Sequence, residues 1–187
     1  MARRRRVWVT ALLCVAGLLG PSQSVAAKSS AGQPAGGASV ITPWKGPAPH
    51  VLIETDRGKL TLELYPDVAP RTVARFVELV KKGFYNGLTF HRVVPKFLIQ
   101  GGDPAGDGTG GSGLPIPAEF SEKKHVAGTV GMARLRGPDS ADSQFYICLE
   151  PQPFLDGKYT VFGQVVEGVD ILPKIQEGDV MRKVAIR

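Results

Sequence analysis

At 187 residues and 43% hydrophobic side chains, the chain is long enough for one domain with a substantial core, and its composition excludes a fibrous or low-complexity protein. The formal net charge of +6 points towards nucleic acid only until it is located, because Arg3, Arg4, Arg5 and Arg6 hold four of those charges. The remainder of the chain is near +2, and no nucleic-acid partner is expected.

The four arginines precede an apolar run, Val7 to Leu19, followed by Pro21 and small or polar residues ending at Ala26-Ala27. A basic head, an apolar middle and a small-residue exit form the layout of a secretory signal peptide, and the apolar run is shorter than the ~20 residues that span a bilayer. Residues 1–27 are therefore read as a leader cleaved after Ala26 or Ala27, giving an exported chain, periplasmic or secreted, without stable membrane insertion. The alternative is an uncleaved anchor. Cys14 departs with the leader, and Cys148 alone forms no internal disulfide. Its setting, Phe145 to Leu149, suits a small buried hydrophobe. Residues 28–49, rich in Ala, Gly, Ser and Pro, cannot bury enough apolar surface to offset ordering entropy and read as a flexible tether. Trp44 is the large apolar side chain there, free to dock on the domain or on nothing.

From residue 50 to 187 the pattern is that of a folded domain. His50 to Tyr65 alternates on both sides of Asp56-Arg57-Gly58, which predicts a hairpin with Val51, Ile53, Leu60, Leu62 and Leu64 inward. Pro70 opens a helical stretch in which Val73, Phe76, Val77 and Val80 form one stripe, and Gly83 ends it. Next comes Phe90-His-Arg-Val-Val-Pro-Lys-Phe-Leu-Ile-Gln-Gly-Gly102, two short strands about a bend at Pro95-Lys96. Period-two alternation would group Arg92, Val94, Leu98 and Gln100 on faces fixed by the pleat. A cation and an amide bordering the apolar pair Phe97 and Leu98 suit a ligand with an apolar ring and amide dipoles, and do not suit nucleophilic attack.

The following loop, Asp103 to Gly113, formally satisfies Gly-x-Gly-x-x-Gly, but Pro115 and Pro117 forbid the helix that would hold a pyrophosphate. As a calcium loop it has Ala105 where an oxygen donor is required and Leu114 where the closing Glu belongs. A glycine wall over which a peptide backbone can pass closely is the better account. Thr129 to Ala133, Ser143 to Leu149, Val161 to Val166 and Arg182 to Ile186 read as strands, and Val169 to Ile175 as a short helix. The histidines fare poorly as catalysts: His91 is expected to turn into packing or a backbone hydrogen bond, His50 lies at the tether's end and His125 in a polar loop, and Asp139, Asp142 and Asp156 read as turn residues. The expected fold is mainly β, a closed antiparallel eight-stranded barrel capped by two α-helices.

Residues 51–187 resemble the cyclophilins, the peptidyl-prolyl cis-trans isomerases whose signature pairs an FHR triplet with a QGGD run. The resemblance extends through Gly131-Met-Ala133, Asp142-Ser-Gln-Phe-Tyr-Ile147 and Leu155-Asp-Gly-Lys-Tyr-Thr-Val-Phe-Gly163, and the loop Gly137 to Asp142 looks like the bacterial single-domain branch. It implies that Arg92 is the catalytic cation, that Phe97, Leu98, Tyr146 and Leu155 form a proline pocket, and that Gln100 and Gln144 hold peptide carbonyl and amide groups. Ala133 and Arg134 would border the groove for the residue before proline. Arg134, Phe154 and Tyr159 depart from the commonest eukaryotic pattern of Asn, Trp and His, which bears on substrate preference. Relatives use the indole N–H at the position of Phe154 to bond cyclosporin, so weak cyclosporin binding is expected. The implied activity is isomerisation of X-Pro bonds in unfolded or flexible exported polypeptides, by a monomer needing no metal or cofactor. The alternative is a peptide-binding chaperone or scaffold using the same groove without significant turnover.

Overall fold

The computed structural model describes residues 41–187. The expected leader and the tether up to residue 40 lie outside the described residues. The first hairpin follows from alternation and turn chemistry: β1 (His50–Thr55) pairs with β2 (Gly58–Leu64), with Thr55 opposite Gly58 across the two-residue loop Asp56-Arg57. All five inward candidates, Val51, Ile53, Leu60, Leu62 and Leu64, are fully buried.

Helix α1 (Pro70–Lys81) starts with proline at its first turn and buries Val73, Phe76, Val77 and Val80. No local side chain caps it. The Glu119 carboxylate does so from far along the chain, accepting from the Arg71 N–H at 3.0 Å, the Thr72 N–H at 2.8 Å and the Thr72 hydroxyl at 2.7 Å. The Phe76 ring meets Tyr85, Phe145 and Phe162 at centroid distances of 4.9, 5.4 and 5.0 Å, which ties the helix to the sheet interior.

The remaining strands are β3 (Arg92–Val94), β4 (Leu98–Gly101), β5 (Thr129–Met132), β6 (Phe145–Cys148), β7 (Val161–Glu167) and β8 (Met181–Ile186). Every pairing is antiparallel, in the order β3-β4-β6-β5-β7-β2-β1-β8. The sheet curls into the expected barrel, but closure is less complete than expected. Edge strands β3 and β8 form no ladder with each other. The seam is held where residues 87–90 meet 178–181, through a single bridge between Thr89 and Val180 and backbone bonds such as Phe90 N–H to Asp179 O at 2.9 Å and Met181 N–H to Leu88 O at 2.8 Å. The second predicted helix is a 3₁₀ segment, Val169–Lys174, with Pro173 inside it; proline lacks the N–H that an α-helix would need there.

The pleat sorts the apolar residues into two clusters. Along β6, Phe145 and Ile147 face the main core with Ile99 of β4, whereas Tyr146 and Cys148 face outward with Leu98. Residues 41–49, expected as the end of a flexible tether, pack on the domain: Trp44 donates its backbone N–H to Pro70 O at 3.0 Å, and its side chain lies against the main core. His50 is the first residue of β1, where the expected hairpin begins.

Candidate active site

Cross-strand register builds the site. Arg92 stands opposite Gln100, Gln100 opposite Tyr146 and Tyr146 opposite Gly131, so one row of side chains crosses four strands on the outer face. Gln144 lies two residues before Tyr146 and shares its face. Hydrogen bonds run along the row. Arg92 Nη1 donates to Gln100 Oε1 at 3.3 Å, and Gln100 Nε2 donates to Gln144 Oε1 at 2.9 Å. Gln144 Nε2 in turn donates to the carbonyls of Gly108 and Gly110 at 3.0 and 2.8 Å, holding the glycine wall to the strands.

That wall is organised from within by Asp103, which accepts from the Ala105 and Asp107 N–H groups at 2.8 and 3.0 Å and also from Gly108. Burial pushes the Asp103 carboxyl up, but these backbone donors outweigh it and hold the group below its ordinary value. Gly110 has to be glycine, since a Cβ there would fall 2.2 Å from Asp103 Oδ1. Beside the wall is a cleft bordered by Gln100, Gly110, Ala133, Arg134, Asp142 and Gln144.

Beside Arg92 lies the outward apolar cluster: Leu98, Tyr146, Cys148 and Leu155 are buried, with Phe97, Ala133 and Tyr159 packed against them. The four residues expected to form an apolar pocket are thus brought together. The Arg92 guanidinium is exposed, has no carboxylate partner among the described residues and sits 5.8 Å from the Phe97 ring. Phe154 is 58% exposed on the rim, 5.7 Å from Phe97. Arg134 folds over Tyr159 at 4.7 Å and donates to the carbonyls of Leu135 and Lys158 at 3.1 Å each. Cys148 is a buried hydrophobe as expected, and burial pushes its thiol up to about 12.

Two expectations need correction. His125 lies in the expected loop, but its side chain has no exposed surface, and its ring bonds the Tyr146 hydroxyl at 2.8 Å and Asp156 at 2.9 Å. Asp156 accordingly does more than shape a turn. No periodicity marks His125, and the sequence signal for this link is limited to the nearness of Asp156 to Leu155, an expected pocket residue. His91 turns into packing, with both ring nitrogens buried and without hydrogen-bond partners.

Comparison with known proteins agrees with this geometry. Residues 50–187 match the family described as cyclophilin type peptidyl-prolyl cis-trans isomerase/CLD. The chain is 47% identical over 139 residues to a peptidyl-prolyl cis-trans isomerase of Synechococcus elongatus, covering 73% of this chain and 95% of the relative. It is 49% identical over 139 residues to peptidyl-prolyl cis-trans isomerase B of Bacillus subtilis, covering 73% and 96%. A Cryptosporidium parvum cyclophilin type isomerase superposes with a TM-score of 0.70 at 29% identity, over 75% of this chain and 98% of that one. The Cryptosporidium parvum isomerase was also solved in the presence of the dipeptide Ala-Pro, and that structure superposes with a TM-score of 0.69 at 30% identity, over 74% and 98% of the two chains. With its fold, its signature segments and its relatives in agreement, this chain belongs to the cyclophilin family of peptidyl-prolyl cis-trans isomerases.

Proposed function

We propose that the chain accelerates rotation about X-Pro bonds in unfolded or flexible exported polypeptides, with Arg92 as the catalytic cation. A peptide bond resists rotation by about 18–20 kcal/mol because the nitrogen lone pair is delocalised into the carbonyl, and X-Pro bonds turn over only in tens to hundreds of seconds unaided. Rotation decouples that lone pair and leaves the nitrogen basic. A guanidinium aimed at it bonds the twisted state better than either planar isomer, which lowers the barrier without a covalent step. The observation that carries this reading is the position of Arg92: an exposed cation steadied by Gln100 at 3.3 Å, beside the cluster of Phe97, Leu98, Tyr146 and Leu155. Among the described residues no other group takes its remaining N–H donors, which leaves them for a ligand.

The apolar cluster grips the proline ring while the rest of the peptide turns. Gln100, Gln144 and the glycine wall meet the peptide backbone, and Ala133, Arg134, Phe154 and Tyr159 border the residues on either side. The Ala-Pro dipeptide used with the Cryptosporidium parvum isomerase supports a proline-containing ligand here. Export is supported by the Arg3–Arg6, Val7–Leu19 and Ala26-Ala27 layout, and N-terminal sequencing of the mature protein tests it.

The direct test is magnetisation-exchange NMR on an Ala-Pro peptide with the wild type and Arg92→Ala side by side. Removing one charge-stabilising donor of this kind costs about 10²–10³ in rate. The expected result is such a loss with the thermal midpoint unchanged, because Arg92 is exposed. An Arg92→Ala protein as active as wild type overturns the proposed role.

A further inference from the structure

A phenol is an awkward lining for an apolar subsite, because a buried hydroxyl must find a partner or turn towards the ligand. Tyr146 is 3% exposed, and its hydroxyl is met from the protein side by His125 Nε2 at 2.8 Å. His125 Nδ1 lies 2.9 Å from Asp156 Oδ1, the same oxygen that accepts from the His125 backbone N–H at 2.9 Å. The imidazole and phenol planes are nearly parallel, 17° apart, with the rings joined end to end. His125 is wholly enclosed, while Asp156 is 19% exposed and also has Lys124 Nζ at 3.4 Å.

The proton positions follow from the chemistry of the three groups. Asp156 is held below the ordinary carboxylate value, first by the His125 backbone N–H and then by its ring, so its oxygens only accept. Nδ1 then carries the proton. In the tautomer that donates from Nδ1 to Asp156, Nε2 accepts and the Tyr146 hydroxyl donates. The hydrogen bonds run in one direction, from phenol to imidazole to carboxylate, and turn the hydroxyl proton away from the ligand.

We propose that His125 and Asp156 are positioning residues of the proline pocket, which lock the Tyr146 ring over Gly131 and point its hydroxyl into the protein, so that a tyrosine can line an apolar subsite. The inference rests on the reading of Tyr146 as a pocket residue. It predicts an effect transmitted only through the hydroxyl.

The test is the isomerisation kinetics of the full chain on an Ala-Pro peptide, with His125→Phe introduced into two backgrounds, wild type and Tyr146→Phe. In the wild type, His125→Phe is expected to raise KM roughly tenfold with kcat within about twofold, the scale of one lost buried hydrogen bond. In the Tyr146→Phe background the same change is expected to move KM by less than about twofold, because the link is already cut. Asp156→Ala provides a second route if His125→Phe does not fold, with the same background dependence. Asp156→Asn, whose carbonyl oxygen still accepts both N–H groups, is expected to stay near the wild-type KM. Equal effects in both backgrounds, or an unmoved KM in the wild type, would overturn the inference while leaving the isomerase reading intact. An inactive wild-type chain would overturn both.

Discussion

Replacing Gly131 by alanine probes the pocket from the opposite strand. A Cβ at position 131 would stand 2.4 Å from both Cζ and the hydroxyl oxygen of Tyr146 and 2.8 Å from Cε2. To reach an ordinary contact of about 3.5 Å the ring must move by about 1 Å. That shift breaks the 2.8 Å bond to His125, worth about 1 kcal/mol, and pushes the side chain off its rotamer at about 1 kcal/mol more. The expected loss is about 2 kcal/mol, a fall in Tm of about 8 °C at roughly 4 °C per kcal/mol for a domain of this size. Displacing the ring disturbs the proposed pocket, so KM for an Ala-Pro peptide should rise by roughly tenfold or more, while Arg92, two strand pairings from Tyr146, keeps kcat nearly constant. Calorimetry and exchange NMR on the same preparation measure both quantities. A Gly131→Ala protein with wild-type Tm and wild-type KM would refute the account of Tyr146 as a fixed wall.

Three further outcomes follow from the same geometry. Glu119→Ala removes the carboxylate that caps α1 and should cost about 2 kcal/mol, read as a lower midpoint in urea with the isomerase constants unchanged. Asp103 is held below its ordinary value, so its contribution is complete above about pH 4 and is lost as pH falls through the lowered folded value. The stability gap between wild type and Asp103→Asn should therefore be largest near neutrality and close in acid, and a gap independent of pH would contradict this. Phe154 offers a rim ring without an N–H donor, so cyclosporin should inhibit weakly and Phe154→Trp should tighten it by about tenfold, measured by competition in the isomerase assay.

The parts of this molecule that obey a period were legible in its sequence. The β1–β2 hairpin and α1 stripe followed from spacings of two and of three to four. The grouping of Arg92, Val94, Leu98 and Gln100 followed from alternation about Pro95-Lys96, and the observed register agrees. What escaped was contact between residues far apart in the chain and placed in loops. Glu119 caps a helix 47 positions earlier, and His125 meets Asp156 31 positions later, neither with any local pattern. Trp44 docks although its neighbours are compositionally a linker, because one large ring finds the core beside Pro70. The barrel's seam was misjudged for a related reason: strand count says nothing about whether the first and last edges reach each other.

The inward and outward faces of β4 and β6 give neighbouring codons separate duties. Ile99 and Ile147 belong to the folding core, while Leu98, Tyr146 and Cys148, one step along the same strands, belong to the outward cluster proposed as the groove. Selection can thus re-line the groove for new clients with little effect on the interior that keeps the barrel standing, and random mutagenesis of either strand should yield folding defects and activity defects at alternating positions.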